Sequence, residues 1–184
     1  MATTTSWKAL LRQTSSAGLA LLLLGGTTGG DCAPAEPVKS IAVMDFEMID
    51  DSGDEASVPA QRERLKMISR QLREELAQAG LCRVLDNGPA QVLIDRFRAS
   101  QALRQCNGCE RDIGKALGAD LVALTWVQKV SNLILNINVE IKDVASGATR
   151  LIKSVDIRGN TDTSWRRGVS YLVRDMAEKG QGCR

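Results

Sequence analysis

The chain has 184 residues, contains no histidine and carries 24 basic against 22 acidic side chains, for a formal net charge of +2. Without histidine it cannot form Ser-His-Asp triads, Cys-His pairs or histidine-ligated zinc and haem sites. The near-neutral charge argues against nucleic acid as a partner, because phosphates are normally met by clustered basic side chains. An aromatic content of 3% also leaves little material for stacking on bases.

The first 35 residues have the pattern of an export signal. Lys8 and Arg12 precede an apolar run at 17–24, and Ala33-Pro34-Ala35 supplies an A-x-A cleavage site. The apolar run is about half of the ~20 residues that a membrane-spanning helix needs. We therefore expect a signal peptide over 1–35 that is cleaved after Ala35, and no transmembrane segment.

The remaining residues are enough for one domain with its own core. Removing 1–35 leaves 22 basic and 21 acidic side chains, so the exported chain is nearly neutral. Cys32 lacks the leucine and small neighbours of a lipid-attachment cysteine, which disfavours lipidation. We predict a single domain over 36–184 and a periplasmic or secreted location.

The first half of this domain begins with a predicted βαβ unit. A short apolar run at 41–46 predicts a buried central strand, and the acid-rich segment 47–55 predicts a loop. Apolar positions spaced by three and four over 59–79 predict an amphipathic helix, which Gly80 ends. Residues 81–85 then predict a short strand, and the helix is expected to cover one face of the sheet.

Two further helices follow the βαβ unit. Residues 90–104 have helical composition, and the turn at 106–109 interrupts the helical pattern. A second short helix is predicted over 110–117, where Gly118 ends it. The apolar run at 121–130 then predicts the next strand.

The second half of the domain shows the clearest periodicity in the chain. Apolar and polar residues alternate over 133–141, with Leu133 on the apolar face, which predicts a half-buried strand. A third strand at 151–158 completes a predicted antiparallel meander over 121–158. A polar residue at 162–164 is expected to cap the last helix. One apolar stripe of that helix comprises Trp165, Val169, Leu172 and Met176.

The predicted fold class is therefore α/β (α+β). A single mixed sheet contains the βαβ unit, two helices follow, and a three-stranded antiparallel meander leads to a carboxyl-terminal helix packed on the sheet.

The order of these elements over residues 39–178 resembles the amino-terminal domain of TolB and the related periplasmic domain of the CsgG type. The matching features are the strand at 41–46, the helix ending near Gly80, Leu117-Gly118-Ala119-Asp120, the turn at 143–147 and Trp165 at the start of the last helix. The resemblance implies a non-catalytic envelope module that docks onto other proteins. A TolB propeller and a pore-forming segment are not apparent, so no specific partner and no binding residues are carried over.

Two short segments also resemble a family of secreted bacterial proteins known only as a domain of unknown function. These are Cys-x-x-Cys-Glu at 106–110 and Trp-Val-Gln-Lys-Val-Ser-Asn at 126–132. This resemblance implies no particular activity.

Four cysteines remain after the signal, an even number in an oxidising compartment, so disulfides are expected. Cys106 and Cys109 are close enough to pair, which would leave Cys82 with Cys183, although four cysteines allow three connectivities and the sequence does not choose among them. The alternative is a thiol-disulfide oxidoreductase that uses Cys106 and Cys109, because a helix start favours the thiolate. The last proline is Pro89, so the proline that thioredoxin-like enzymes place downstream of their cysteines is missing.

A second alternative is a divalent-metal-binding protein that uses the acidic segment 50–55. The candidate oxygen ligands are the carboxylates of Asp50, Asp51, Asp54 and Glu55. Gly53 is fourth in this segment, whereas an EF-hand has its glycine sixth, so a solvated loop is the favoured interpretation.

The leading prediction is an exported, non-catalytic protein-interaction or accessory module that binds an envelope protein of unknown identity and uses no cofactor. The sheet edge and the turn at 128–132 are the candidate contact surfaces. The candidate residues are Gln128, Lys129, Ser131, Asn132, Asn136, Asn138, Arg158 and Arg166. The simpler alternative is a hydrated sheet face partly covered by a helix.

Overall fold

The computed structural model describes residues 37–50 and 52–183. The strands in chain order are β1 (Ser40–Val43), β2 (Glu47–Asp50), β3 (Arg83–Val84), β4 (Leu121–Lys129), β5 (Ile134–Asp143) and β6 (Thr149–Arg158). The α-helices are α1 (Val58–Gln78), α2 (Gln91–Ser100), α3 (Cys109–Leu117) and α4 (Asp162–Glu178). The predicted signal peptide and Asp51 lie outside the described residues.

All six strands belong to one mixed sheet with the order β3-β1-β4-β5-β6, and β2 pairs with β4 farther along that strand. β1 is parallel to both β3 and β4, which confirms the predicted βαβ unit with a central first strand. β4, β5 and β6 are successively antiparallel and form the predicted meander. The predicted fold class is therefore confirmed. Within the described ranges, every helix is too short or too polar to cross a bilayer.

Apolar side chains fill a core on each face of the sheet. On one face, Ile68 and Leu72 of α1 and Trp165 of α4 pack against the inward residues of β1, β4, β5 and β6. On the other face, Ile94 of α2 and Ile113 of α3 pack against β1 and β4. The alternation that predicted β5 thus reflects one face buried under α1 and α4.

The strand predicted over 41–46 is shorter than expected, and part of the predicted loop over 47–55 is wrong. The first strand ends at Val43, and the chain resumes as β2, which pairs in parallel with Trp126–Lys129 of β4. β2 was missed because its acidic residues suggest a loop, although their charges have partners. Glu47 Oε1 accepts a hydrogen bond from the Leu103 N–H at 2.6 Å.

The break between β1 and β2 is held by side chains that are distant in sequence. Arg73 donates to the Val43 carbonyl through Nε at 3.0 Å and Nη2 at 2.7 Å, and Asn87 Nδ2 donates to the same oxygen at 2.8 Å. The Phe46 N–H donates to the buried Ser69 Oγ at 2.9 Å. Backbone groups that leave the ladder are thus still paired, as burial requires.

Helix α4 is capped one residue earlier than predicted. Thr161, rather than any of residues 162–164, has the extended backbone of an N-cap, and its Oγ1 accepts from the Ser164 N–H at 3.2 Å. Ser164 Oγ accepts in return from the Thr161 N–H at 3.1 Å, which completes a capping box. Several polar residues in a row make the cap ambiguous in the sequence.

Candidate interaction surface

The outward face of β4, β5 and β6 carries a row of polar side chains. Gln128, Asn136 and Asp156 lie side by side on three adjacent strands. Asn136 Nδ2 donates to Asp156 Oδ1, and Asn138 Nδ2 donates to the Asn136 carbonyl at 3.2 Å. Arg158 extends the polar face at the end of β6 and is exposed. Gln128, Asp156 and Arg158 on this face are exposed to solvent.

The turn between β4 and β5 presents apolar side chains to solvent. Val130 is 61% exposed, Leu133 is 72% exposed and Ile134 is 44% exposed. Ser131 and Asn132 lie between them, and we call residues 130–134 the hairpin tip. Contiguous exposed apolar side chains on a small domain are typical of a contact site.

Hydrogen bonds within the hairpin tip fix its shape. The N–H groups of Val130 and Ser131 donate to the Ile134 carbonyl at 3.0 and 3.1 Å. Ser131 Oγ accepts from the N–H groups of Leu133 and Ile134, both at 3.2 Å. A tip with this many internal bonds loses less conformational entropy on binding than a flexible loop.

A buried lysine lies directly beneath the hairpin tip. The Lys129 side chain is completely buried, and its Nζ lies 3.0 Å from Asp50 Oδ2 and 3.4 Å from Asp54 Oδ2. The hydroxyls of Ser52 and Ser57 complete its surroundings at 3.0 and 3.4 Å. The ammonium group therefore ties the hairpin to the segment between β2 and α1.

Both carboxylates that face Lys129 have lowered pKa values. Partial burial raises the pKa of Asp50, but hydrogen bonds from Ser52, Lys129 and Gln61 outweigh it and hold that pKa well below its usual range. A hydrogen bond from Ser57 is the main cause of the lowered pKa of Asp54, and Lys129 lowers it further. Both groups are therefore ionised at neutral pH.

Two carboxylates of the acidic segment 50–55 face Lys129. Asp50 and Asp54 bind Lys129, while Glu55 is exposed in a 3₁₀ helix (Glu55–Ser57). Asp51 lies outside the described residues. In the described ranges there is no group of three or more acidic or cysteine side chains that could hold a metal ion.

The four cysteines form two buried disulfides. Cys82 is bonded to Cys183, with Cα atoms 4.9 Å apart, and Cys106 is bonded to Cys109, with Cα atoms 5.6 Å apart. Both Cα separations lie in the usual range for a disulfide. The first bond fixes the carboxyl-terminal tail beside β3, where the Cys183 N–H donates to the Leu81 carbonyl at 2.9 Å.

The surroundings of the second disulfide do not favour thiol chemistry. Cys106 and Cys109 are each only 6% exposed, which limits access by a substrate disulfide. The buried carboxylate of Glu110 follows directly and accepts from Lys142 Nζ at 3.0 Å and from the Gly108 N–H at 3.2 Å. This negative charge opposes the helix dipole that favours a thiolate at Cys109.

The predicted partner residues do not form one surface. Gln128, Asn136, Asn138 and Arg158 share the outward sheet face, although Asn138 is largely buried. Ser131 and Asn132 belong to the hairpin tip. Arg166 projects from α4, on the opposite side of the sheet.

Two assignments made from the sequence require correction. Lys129 is not available to a partner, because its side chain turns inward toward Asp50 and Asp54. Leu133 is not on the buried face of β5, because that strand begins only at Ile134. The exposed Leu133 was missed because it continues the alternating pattern. The two apolar residues Leu133 and Ile134 in succession were the signal that the alternation starts later.

A second charged cluster that the sequence did not reveal lies at the end of β1. Asp45 binds Arg73 through Oδ1 at 2.6 Å and Arg98 through Oδ2 at 3.4 Å. Partial burial raises the pKa of Asp45, but the two guanidinium groups outweigh it and lower that pKa. The cluster borders a cavity of about 250 Å³ and joins α1 and α2 to the break between β1 and β2.

Comparisons with known proteins place the chain in a family. The family described as "Protein of unknown function (DUF2380)" matches residues 39–176. The chain belongs to this family. The predicted resemblance to a domain of unknown function is thus confirmed. No curated protein matches the chain.

Three solved structures illustrate the fold similarity of this DUF2380 member. The LpoB C-terminal domain from Salmonella enterica is 12% identical, with a TM-score of 0.48, and 65% of this chain and 82% of that chain are covered. The PelC dodecamer from Paraburkholderia phytofirmans is 13% identical, with a TM-score of 0.48 and coverage of 80% and 90%. TolB from Acinetobacter baumannii is 14% identical, with a TM-score of 0.44 and coverage of 78% and 29%. Similarity at this level concerns the fold and does not identify a function.

Proposed function

We propose that this DUF2380 protein is an exported, non-catalytic docking module that binds a folded protein of the cell envelope through its hairpin tip. Export is inferred from the signal pattern over 1–35. The observation that carries the docking function is the exposure of Val130, Leu133 and Ile134 on a turn with a fixed shape. No reaction is assigned to the chain.

The size and composition of the hairpin tip suit a protein contact. Leucine and β-branched side chains at the centre of an interface contribute favourable binding free energy when a partner removes water from them. Ser131 and Asn132 supply polar groups beside them, as at the rim of a protein interface. The neighbouring outward sheet face adds further polar side chains next to the tip.

The Lys129 cluster supports this function because it holds the hairpin tip in place before binding. An exposed apolar turn without such support would pay an ordering cost on association. Here Asp50 and Asp54 fix the end of β4 from below. We therefore interpret the ion pairs of Lys129 with Asp50 and Asp54 as the interactions that position the hairpin tip.

A protein partner is favoured over a lipid surface. Peripheral membrane contacts usually combine apolar residues with basic residues that attract anionic headgroups. Lys129, the basic residue adjacent to the tip in sequence, is buried and matched by two carboxylates. Arg158, opposite Ile134 on β6, is exposed, but a single arginine attracts anionic headgroups far less than the clusters of basic residues typical of membrane-binding segments.

Affinity capture with crosslinking from the native envelope tests the proposal. The wild-type protein is compared with the double variant Val130→Ser/Leu133→Ser and with the control Val92→Ser. Val92 is a suitable control because it is 84% exposed and lies on α2, away from the hairpin tip. We expect one reproducible protein partner for the wild type and for the control, and its loss for the tip variant.

Equal capture by all three proteins would contradict a role of the hairpin tip. Capture of no reproducible partner by the wild type would contradict the docking function itself. Binding to anionic vesicles that is lost in Val130→Ser/Leu133→Ser would instead indicate a lipid surface. Circular dichroism of each variant confirms that the fold is intact.

A further inference from the structure

A groove runs along the outer edge of the sheet, between β6 and α4. It has a volume of about 740 Å³. Ser154, Asp156 and Arg158 line it from β6, and Arg167 and Tyr171 line it from α4. Tyr171 is 48% exposed and offers an apolar surface beside the strand edge. The backbone of β6 thus bounds the groove on one side, and the Tyr171 ring and the Arg167 guanidinium group bound it on the other.

The edge of β6 in this groove has backbone groups without a partner strand. β6 is the last strand of the sheet order, so the described residues form no ladder on its outer side. The Gly159 N–H donates inward to the Leu133 carbonyl at 2.9 Å. Because inward and outward groups alternate in an antiparallel ladder, the N–H and C=O groups of Ser154, Asp156 and Arg158 point toward the groove.

Within the groove, this edge lacks proline, a bulge and an outward lysine, three features that normally block strand addition. Pairing of β6 with β5 is regular from Ile152 to Arg158, and the register shift lies near Leu151, toward the other end. β6 contains no proline, and its one lysine, Lys153, turns inward to bind Asp175. Proline, bulges and outward lysines are the usual protections of an exposed edge. The edge is therefore competent to pair with another strand.

The charge of the groove indicates what kind of strand it accepts. Arg158 and Arg167 are exposed, and neither forms an ion pair within the part of the chain that the structure describes. Asp156 is the acidic residue of the groove and accepts a hydrogen bond from Asn136. On α4, Arg166 and Arg174 extend the positive surface beyond Tyr171. The groove is net positive and complements carboxylates.

We propose that this groove binds an extended acidic segment of a partner protein as an additional strand beside β6. The backbone of the segment would pair with the outward groups of Ser154, Asp156 and Arg158, and its carboxylates would pair with Arg158 and Arg167. The length of edge in the groove accommodates about five residues at 3.4 Å per residue. Two copies of this chain are a poorer fit, because edge-to-edge pairing would bring two arginine-lined grooves together.

A fluorescein-labelled synthetic peptide tests the proposal by fluorescence polarisation with the purified protein. The probe has about eight residues in which two glutamates alternate with two valines, so that carboxylates project from both faces of the added strand, toward Arg158 and toward Arg167. A control peptide has lysine in place of glutamate. We expect the acidic probe to bind and the lysine peptide to bind at least about tenfold more weakly, as charge complementarity requires.

Matched variants distinguish the contribution of backbone hydrogen bonds to probe binding from the contribution of the arginine charges. Ser154→Pro removes one outward N–H without removing a bond to β5, whereas Ser154→Val keeps that N–H. We expect Ser154→Pro to abolish probe binding and Ser154→Val to preserve it. Arg158→Gln/Arg167→Gln should weaken binding at least about tenfold, while Arg96→Gln on α2 should leave it unchanged. Thermal unfolding of every variant verifies folding.

Several outcomes would overturn the proposal. These are no probe binding up to about 1 mM, equal binding of the lysine peptide, or equal binding by Ser154→Pro and Ser154→Val. A dimer in sedimentation experiments that Ser154→Pro converts to a monomer would show that the edge pairs with a second copy instead. Val130→Ser/Leu133→Ser should not alter probe binding, so this test stands apart from the hairpin tip.

Discussion

Lys129 and Asp50 are direct cross-strand neighbours on the parallel strands β4 and β2, and Lys129 Nζ lies 3.0 Å from Asp50 Oδ2. The pair joins two segments that are 79 residues apart. Its lysine is fully buried and its aspartate nearly so. The Lys129 ammonium thus connects the end of β4, just before the hairpin tip, with the acidic segment and, through the Ser57 hydroxyl, with the residue that precedes α1.

The change Asp50→Asn is expected to lower the free energy of unfolding by about 3 kcal/mol. It removes one partner of a buried pair and leaves the Lys129 ammonium with less compensation. Urea denaturation followed by circular dichroism measures the change. Glu63→Gln is the control, because the Glu63–Lys66 pair is largely exposed and is expected to contribute less than about 1 kcal/mol. Equal losses in the free energy of unfolding for both changes would show that the buried pair contributes no more to stability than the exposed pair.

The double variant Asp50→Asn/Lys129→Met is expected to be more stable than Asp50→Asn alone. Methionine fills a similar volume without a charge, so the cost of burying an unpaired ammonium disappears. Denaturation of Asp50→Asn, of Lys129→Met and of the double variant, each compared with the wild type, gives the coupling free energy between the two residues. Additive losses from the two changes would contradict a direct interaction between these residues.

Stability is expected to fall as the pH decreases below about 5, the range in which native-state carboxylates with lowered pKa values take up protons. The pKa values of Asp50 and Asp54 are lowered in the folded state, so the unfolded chain binds more protons over this range. Their contribution is fully present at neutral pH and is lost as the pH falls through the folded-state pKa values. Denaturation at several pH values should show a shallower dependence for Asp50→Asn/Lys129→Met than for the wild type. Identical slopes would contradict the assignment.

Removal of the Cys82–Cys183 disulfide is expected to destabilise the protein more than removal of Cys106–Cys109. The first closes a loop with a sequence separation of 101 and the second a loop with a separation of 3. The chain-entropy relation gives about 4 to 5 kcal/mol for the first and about 2 kcal/mol for the second. Denaturation of the paired Cys→Ala variants measures both losses, and a reversed order would contradict the entropic account.

The same Cys106→Ala/Cys109→Ala variant tests the alternative of thiol chemistry. Insulin reduction by the wild-type protein is expected to equal the background rate. Wild-type activity that disappears in the variant would establish an oxidoreductase and would contradict the non-catalytic assignment.

The change Gly168→Ala is expected to destabilise the protein by about 1 to 3 kcal/mol, although alanine is the better helix former. A Cβ at this position would lie 2.6 Å from Ile157 Cγ2 and 2.7 Å from Ile137 Cδ1, because α4 packs closely on the sheet there. Ile137→Val removes one of the clashing atoms and should recover part of the loss. A stabilising effect of Gly168→Ala would show that α4 can move away without cost.

The periodic parts of the fold were predictable from the sequence. Alternation identified β5 and spacing by three and four identified α1 and α4, because each of these elements buries one face. β2 was missed because its acidic side chains find partners far away in sequence, on Lys129 and at the Leu103 N–H. The composition of a short segment does not reveal partners that lie far away in the sequence.

The turn at 128–132 is a candidate contact surface both in the sequence and in the structure, but the placement of its side chains was not predictable. The turn at 128–132 was identified, yet Lys129 was assigned to the surface and Leu133 to the core, and the structure reverses both. A lysine is normally exposed and an alternating leucine normally buried, so the sequence favoured the common case. The reversal at both positions marks the hairpin tip as unusual.

Site-specific photo-crosslinking in the native envelope is the most direct test of docking through the hairpin tip. A photoreactive residue replaces Leu133 in one variant, Val130 in a second and Val92 in the control. The same single protein adduct from positions 130 and 133, with none from position 92, is the predicted result. Identical adducts from all three positions, or adducts with lipid alone at the tip, would contradict the docking function.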